Sequence, residues 1–105
     1  MTDNMKMRAQ LKGDIVEVKV LMSHPMETGR KKDDSGQLIA AHFVQLVTAT
    51  LNGQVVLEAQ WGTGISKNPY LTFRLKGAKL GDVIELTWHD NFGKTAIQNI
   101  AVTQA

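Results

Sequence analysis

The chain has no cysteine among its 105 residues. It therefore cannot close a disulfide, supply a thiolate nucleophile or build a thiolate metal site. Long apolar runs are missing too. No segment approaches the ~20 apolar residues needed to span a bilayer, and Met1-Thr2-Asp3-Asn4-Met5-Lys6 holds no apolar stretch of signal-peptide length. Taken alone, the sequence reads as cytoplasmic and without a membrane association. Nor is there a large excess of one charge: 12 Lys and Arg stand against 10 Asp and Glu, for a formal net charge of +2. The one basic run, Arg30-Lys31-Lys32, leads straight into Asp33-Asp34 and cancels locally, so no nucleic-acid partner is expected. Proline appears only twice, as Pro25 and Pro69.

What is present is period-two patterning, the mark of half-buried strands. Met5, Met7, Ala9 and Leu11 alternate with polar neighbours before a Gly13-Asp14 turn. Val16, Val18, Val20 and Met22 repeat the pattern, and Arg30 to Gln37 reads as a charged loop broken at Gly36. From Phe43 to Leu51 simple alternation puts Phe43, Gln45, Val47, Ala49 and Leu51 on one face, with Val44, Leu46, Thr48 and Thr50 on the other. Asn52-Gly53 follows between apolar runs, a strong hairpin signal because both central residues of a type I′ turn need positive φ. Tyr70 to Leu75, Val83 to Trp88 and Thr95 to Thr103 supply further strands, and Leu38 to Ala41 has room for a helical turn at most. About seven antiparallel strands in 105 residues predict an all-β, immunoglobulin-like sandwich forming one domain over 1–105, with Trp88 as a core anchor between the sheets.

Catalytic patterns are sparse. His24, His42 and His89 lack the His-x-x-x-His or His-x-His spacing that lets one element present two imidazoles to a metal, so they read as solvated turn residues and no metal is expected. Glu17, Glu58 and Glu85 fall on polar strand positions, and Asp33-Asp34 sits in the charged loop. Ser23, Ser35 and Ser66 have no nucleophile-elbow context. Gly62-Thr63-Gly64 has no lysine or helix start behind it to make a phosphate loop. These observations favour a binding role without a cofactor over an enzyme.

Two segments stand out as binding candidates. Ser23-His24-Pro25-Met26-Glu27-Thr28-Gly29 puts a proline and an exposed-looking methionine directly after a strand, and Asn68-Pro69-Tyr70-Leu71-Thr72-Phe73 stiffens the entry to an aromatic strand. Met and Tyr suit surfaces that pack against another protein. The expected partner-binding residues are His24, Pro25, Met26, Glu27, Asn68, Pro69 and Tyr70.

The same two segments carry a family resemblance. The run Ser23 to Gly29 and the charged loop ending in Gly36 are similar to the signature of SoxZ. Asn68-Pro69-Tyr70-Leu71-x-Phe73 and Thr87-Trp88-x-Asp90-x-x-Gly93 resemble later motifs of that family, in the same order and over nearly the whole chain. His89 and Asn91-Phe92 depart from it, standing where acidic residues are usual. The resemblance implies a non-catalytic immunoglobulin-like subunit of a bacterial sulfur-oxidation carrier. It implies a SoxY-like partner whose C-terminal cysteine bears the sulfur intermediate, and transient contact with other Sox enzymes through that complex. It also implies a periplasmic location, the chain being exported folded with a signal-bearing partner. The rival readings are a sandwich binding a small ligand or carbohydrate, for which Trp61 is the lone aromatic not obviously buried, and a small sulfur-transfer or hydrolytic enzyme.

Overall fold

Valine, isoleucine and threonine dominate the alternating segments, and their branched side chains pack best on a pleated surface. In the computed structural model, which describes residues 5–105, these segments form β1 (Met5–Lys12), β2 (Ile15–Met22), β3 (Val44–Leu51), β4 (Gln54–Gln60), β5 (Tyr70–Lys76), β6 (Val83–Asp90), β7 (Thr95–Ala101) and β8 (Thr103–Gln104). Met1 to Asn4, part of the stretch read for a signal, lie outside the described residues. The strands make two four-stranded sheets, ordered β5-β2-β1-β8 and β4-β3-β6-β7. With β1, β2 and β5 as A, B and E, and β3, β6 and β7 as C, F and G, this is the immunoglobulin-type arrangement.

The inward faces follow the alternation. Val16, Val18, Val20 and Met22 of β2 have no exposed surface, and they meet Val47, Ala49, Ile84 and Leu86 of the other sheet. Burying each large aliphatic side chain contributes roughly 1.5–3 kcal/mol. Trp88 is 4% exposed and joins this core, as the sequence predicts. The Asn52-Gly53 turn adopts φ of 50° and 87°, as a type I′ hairpin requires.

Three features depart from simple alternation. β3 carries an extra residue at Gln45: Val44 pairs with Asp90 and Leu46 with His89, so Val44 turns into the core and Gln45 out to solvent. The two-face division expected for this strand therefore fails at its start, because a bulge shifts the parity of everything before it. The last segment is not one strand. β7 leaves its sheet at the buried Val102, and β8 pairs in parallel with β1 in the opposite sheet. Finally, Leu38 to Ala41 contains no helical turn; it runs as an irregular segment tied by a Lys32–Leu38 bridge, with a Glu27–His42 bridge closing the loop's base.

Candidate functional site

The two segments singled out in the sequence meet at one end of the sandwich. The amide of Asn68 donates to the His24 carbonyl at 3.0 Å, and the His24 amide donates back to Asn68 Oδ1 at 3.1 Å. The Met22 amide donates to the Pro69 carbonyl at 2.9 Å, extending the β2–β5 pairing past its end. Asn68 holds φ at 51°, a left-handed conformation that asparagine tolerates better than most residues.

Burial divides the seven expected partner-binding residues. Pro25, Asn68 and Tyr70 are exposed and Glu27 is half-buried, whereas His24, Met26 and Pro69 are buried. The expectation of an exposed Met26 is thus corrected. It is 5% exposed, its φ is 49°, and its sulfur accepts the Val44 amide at 3.3 Å. That amide sits beside the β3 bulge, where the ladder leaves it to seek another acceptor. A polarizable, unbranched thioether can fill such a gap and accept a weak hydrogen bond at once.

The reading of His24 and His42 as solvated turn residues is also corrected. His24 from the β2 end, His42 from the segment before β3 and Asp90 from the β6 end converge, with ligand-type atoms within 4.8 Å of one another. His24 Nε2 lies 3.1 Å and His42 Nε2 2.7 Å from the same oxygen, Asp90 Oδ2. Asp90 Oδ1 accepts the amides of Phe92 at 3.0 Å and Lys94 at 2.8 Å. Burial of the Asp90 carboxyl pushes its pKa up, but hydrogen bonds from His24, Lys94, His42 and Phe92 outweigh this and hold it below the ordinary carboxylate value. The Met26 amide donates to His24 Nδ1 at 3.1 Å, so that nitrogen carries no proton and Nε2 carries one. His24 is therefore fixed as a neutral imidazole donating to Asp90.

His42 is more open, with 18% of its side chain exposed. Its ring stacks on Phe92 at a centroid distance of 4.0 Å and meets the His24 ring edge-on at 4.6 Å. Asn91 accepts the Phe43 amide and donates to the Ala41 carbonyl, both at 2.8 Å. Asn91 and Phe92, two of the three residues that depart from the family resemblance, thus brace the segment that carries His42. His89 points to the other face, as adjacency to Asp90 on a strand requires, and bonds Thr95 there.

Such a trio could hold a cation in principle. Here both carboxylate oxygens already accept two hydrogen bonds each, and both nitrogens of His24 are committed. A metal ion would have to displace the proton from each Nε2. For His24 the proton would move to Nδ1 and strip the Met26 amide of its acceptor. As they stand, the residues form a closed polar pin that ties three chain segments together. Beside it lies a depression of about 330 Å³ bordered by Ser23, Pro25, Lys94 and Thr95. Trp88 also lines it, and the indole nitrogen of that residue is buried without a hydrogen-bond partner among the described residues.

The family model described as "Sulphur oxidation protein SoxZ" matches residues 5–101. The chain belongs to the SoxZ family. No curated protein is similar enough to count as a relative. Among solved structures, the SoxZ-family chain is similar to a superoxide reductase (neelaredoxin) from Ignicoccus hospitalis, at 17% identity and a TM-score of 0.62 over 98% of this chain and 82% of that one. It resembles equally the reduced form of superoxide reductase from Archaeoglobus fulgidus, at 17% identity and 0.63 over 94% and 86%. A hypothetical protein from Pyrococcus horikoshii OT3 is comparable, at 15% and 0.64 over 94% and 87%. At such identities the likeness is one of fold, and SoxZ membership places the chain in sulfur oxidation.

Proposed function

We propose that this SoxZ-family chain is the non-catalytic half of a two-chain sulfur carrier, pairing with a SoxY-like subunit whose C-terminal cysteine holds the covalently bound sulfur intermediate. The observation that carries the reading is the family match over residues 5–101. Two features of the chain support it. The sequence has no cysteine, so the sulfur-bearing thiol belongs elsewhere. The densest cluster of chemistry-bearing groups, His24, His42 and Asp90, spends its hydrogen-bonding capacity inside the fold. Pro25, Asn68 and Tyr70, with half-buried Glu27, are proposed to meet the partner, while His24, Met26 and Pro69 hold that surface from beneath. Their shared hydrogen bonds limit the ordering cost of docking. The complex is proposed to work in the periplasm, reached together with a signal-bearing partner.

Co-expression with a SoxY-like protein followed by size exclusion tests the pairing. Co-elution in a stable heterodimer is expected, and failure to co-elute overturns it. Turnover of thiosulfate by the isolated chain would overturn the non-catalytic assignment. Cell fractionation with and without the partner's export signal tests the location; a chain that reaches the periplasm unaided would contradict joint export.

A further inference from the structure

The outward face of the β5-β2-β1 sheet gathers charges that are scattered in sequence. Pairing registers set its side chains in four cross-strand rows: Lys6, Leu21 and Tyr70; Arg8, Lys19 and Thr72; Gln10, Glu17 and Arg74; Lys12, Ile15 and Lys76. Neighbouring positions in a row are about 5 Å apart. Six cations share this face with one carboxylate, on a chain whose net charge is +2. The remaining sequence therefore carries a net negative charge, and the basic character of the chain is concentrated on this face.

Glu17 neutralises only part of the face. It lies 3.0 Å from Lys12, 3.7 Å from Lys19 and 3.3 Å from Arg74, and these partners pull its pKa down from the ordinary value. Among the described residues, Lys6, Arg8 and Lys76 have no carboxylate within ion-pair distance. Arg8 stands directly opposite Lys19. Like charges facing each other across a strand pair are destabilising, so folding alone gives no reason for this arrangement. Between them opens a depression of about 300 Å³ lined by Lys6, Arg8, Lys19, Leu21 and Tyr70. Leu21 is 43% exposed and Tyr70 61%.

We propose that this sheet face docks an acidic protein surface, that of the cysteine-bearing partner, with a partner carboxylate seated between Arg8 and Lys19 and an apolar side chain against Leu21 and Tyr70. The inference rests on the pairing proposed above and adds which face is used and what the partner brings to it. Three features favour a protein over a polyphosphate or a lipid surface. Tyr70 and Leu21 break the basic field with an apolar spot of the kind that centres protein interfaces. The carboxylate of Glu17 stands amid the cations and would repel a continuous row of phosphates. Tyr70 also belongs to the Asn68–Phe73 segment, so the face is continuous with the loops already assigned to the interface. A salt-sensitive, rapidly formed encounter follows from complementary charge.

The test is Arg8→Glu, compared with Lys31→Glu/Lys32→Glu in the exposed loop. Arg8→Glu turns a like-charge cross-strand pair into an opposite-charge one, so the thermal midpoint should hold or rise and any loss of pairing cannot be blamed on unfolding. Titration calorimetry with the SoxY-like subunit near 150 mM salt should show Kd raised at least about tenfold by Arg8→Glu. The loop variant should stay within about twofold of the wild type. Unchanged affinity for Arg8→Glu, with the wild type pairing normally, overturns this docking face and leaves the pairing intact. Equal weakening by both variants overturns it too, since that outcome reports net charge alone. A wild-type chain that does not pair overturns both this inference and the function it rests on. Binding to phosphatidylglycerol vesicles that Arg8→Glu abolishes, with pairing unaffected, reassigns the face to a membrane and refutes the proposal.

Discussion

Removing the Asp90 side chain tests the polar pin. Asp90→Ala leaves four donors without their acceptor: His24 Nε2, His42 Nε2 and the amides of Phe92 and Lys94. Lys94 is exposed and His42 partly so, and water can satisfy them in part. His24, with 2% of its side chain exposed, has no such recourse. It cannot shift its proton either, because Nδ1 accepts the Met26 amide. Each buried donor left without an acceptor costs about 1–3 kcal/mol, so four donors, of which water rescues some, should together cost roughly 3–5 kcal/mol, a large share of the roughly 5–15 kcal/mol that holds a domain folded. At about 4–8 °C per kcal/mol for a domain of this size, the melting temperature should fall by roughly 12–40 °C.

Asp90→Asn separates charge from shape. An amide matches the carboxylate in size but offers one acceptor oxygen and turns an NH₂ group towards donors, so a loss of about 2 kcal/mol is expected. The pH dependence follows from the lowered pKa of Asp90. A carboxylate whose folded pKa lies below its unfolded value contributes stability that is complete above the unfolded value and lost as pH falls through the folded one. The gap between wild type and Asp90→Asn in urea melts should therefore narrow as pH drops below about 4. An Asp90→Ala protein melting within about 3 °C of wild type would refute the pin, since it would mean the orphaned donors cost almost nothing.

Met26→Asp places a carboxylate where a buried sulfur accepts an amide, and should cost more than about 3 kcal/mol by circular-dichroism melting; wild-type stability would refute its place in the core. Met26→Leu preserves volume but leaves the Val44 amide unpaired, for an expected loss of about 1–2 kcal/mol. Addition of zinc, or of a chelator, should move the melting temperature by less than about 1 °C, and a clear zinc-induced rise would show that the His24, His42 and Asp90 trio opens to a metal.

The parts of the fold that the sequence disclosed are those governed by local physics. Alternation named the inward faces of β1 and β2, and Asn52-Gly53 named its turn, because period-two packing and positive φ depend on near neighbours alone. The β3 bulge stayed hidden, since Gln45 is an extra residue only with respect to β6. The break at Val102 is equally non-local: β7 and β8 differ in which sheet they join, and no neighbouring residue encodes that. The same limit explains the misread histidines. Spacing rules look for two ligands on one element, whereas His24, His42 and Asp90 arrive from three segments separated by 18 and 48 positions. A proline after His24 and a tight turn after Asp90 were the available local signals, and neither points at the other.

The basic face was illegible for a related reason, and it bears on what the fold is for. Net charge averages over a surface, so +2 concealed a sheet face whose six cations come from β1, β2 and β5. A strand displays every second residue on one side, so β1 places Lys6, Arg8 and Lys12 there, β2 places Lys19, and β5 places Arg74 and Lys76. A stable monomer has no need of Arg8 opposite Lys19, and the single carboxylate on that face reaches Lys19 but leaves Arg8 unpaired. At the end of the sandwich the situation is reversed: Asp90 is surrounded by donors and fully used. One site has its polar demands met from within the chain, and the other has them unmet. Unmet charge on a flat, partly apolar sheet is where a partner can contribute binding energy, so interaction with a second chain should depend far more on Arg8 than on the His42 imidazole.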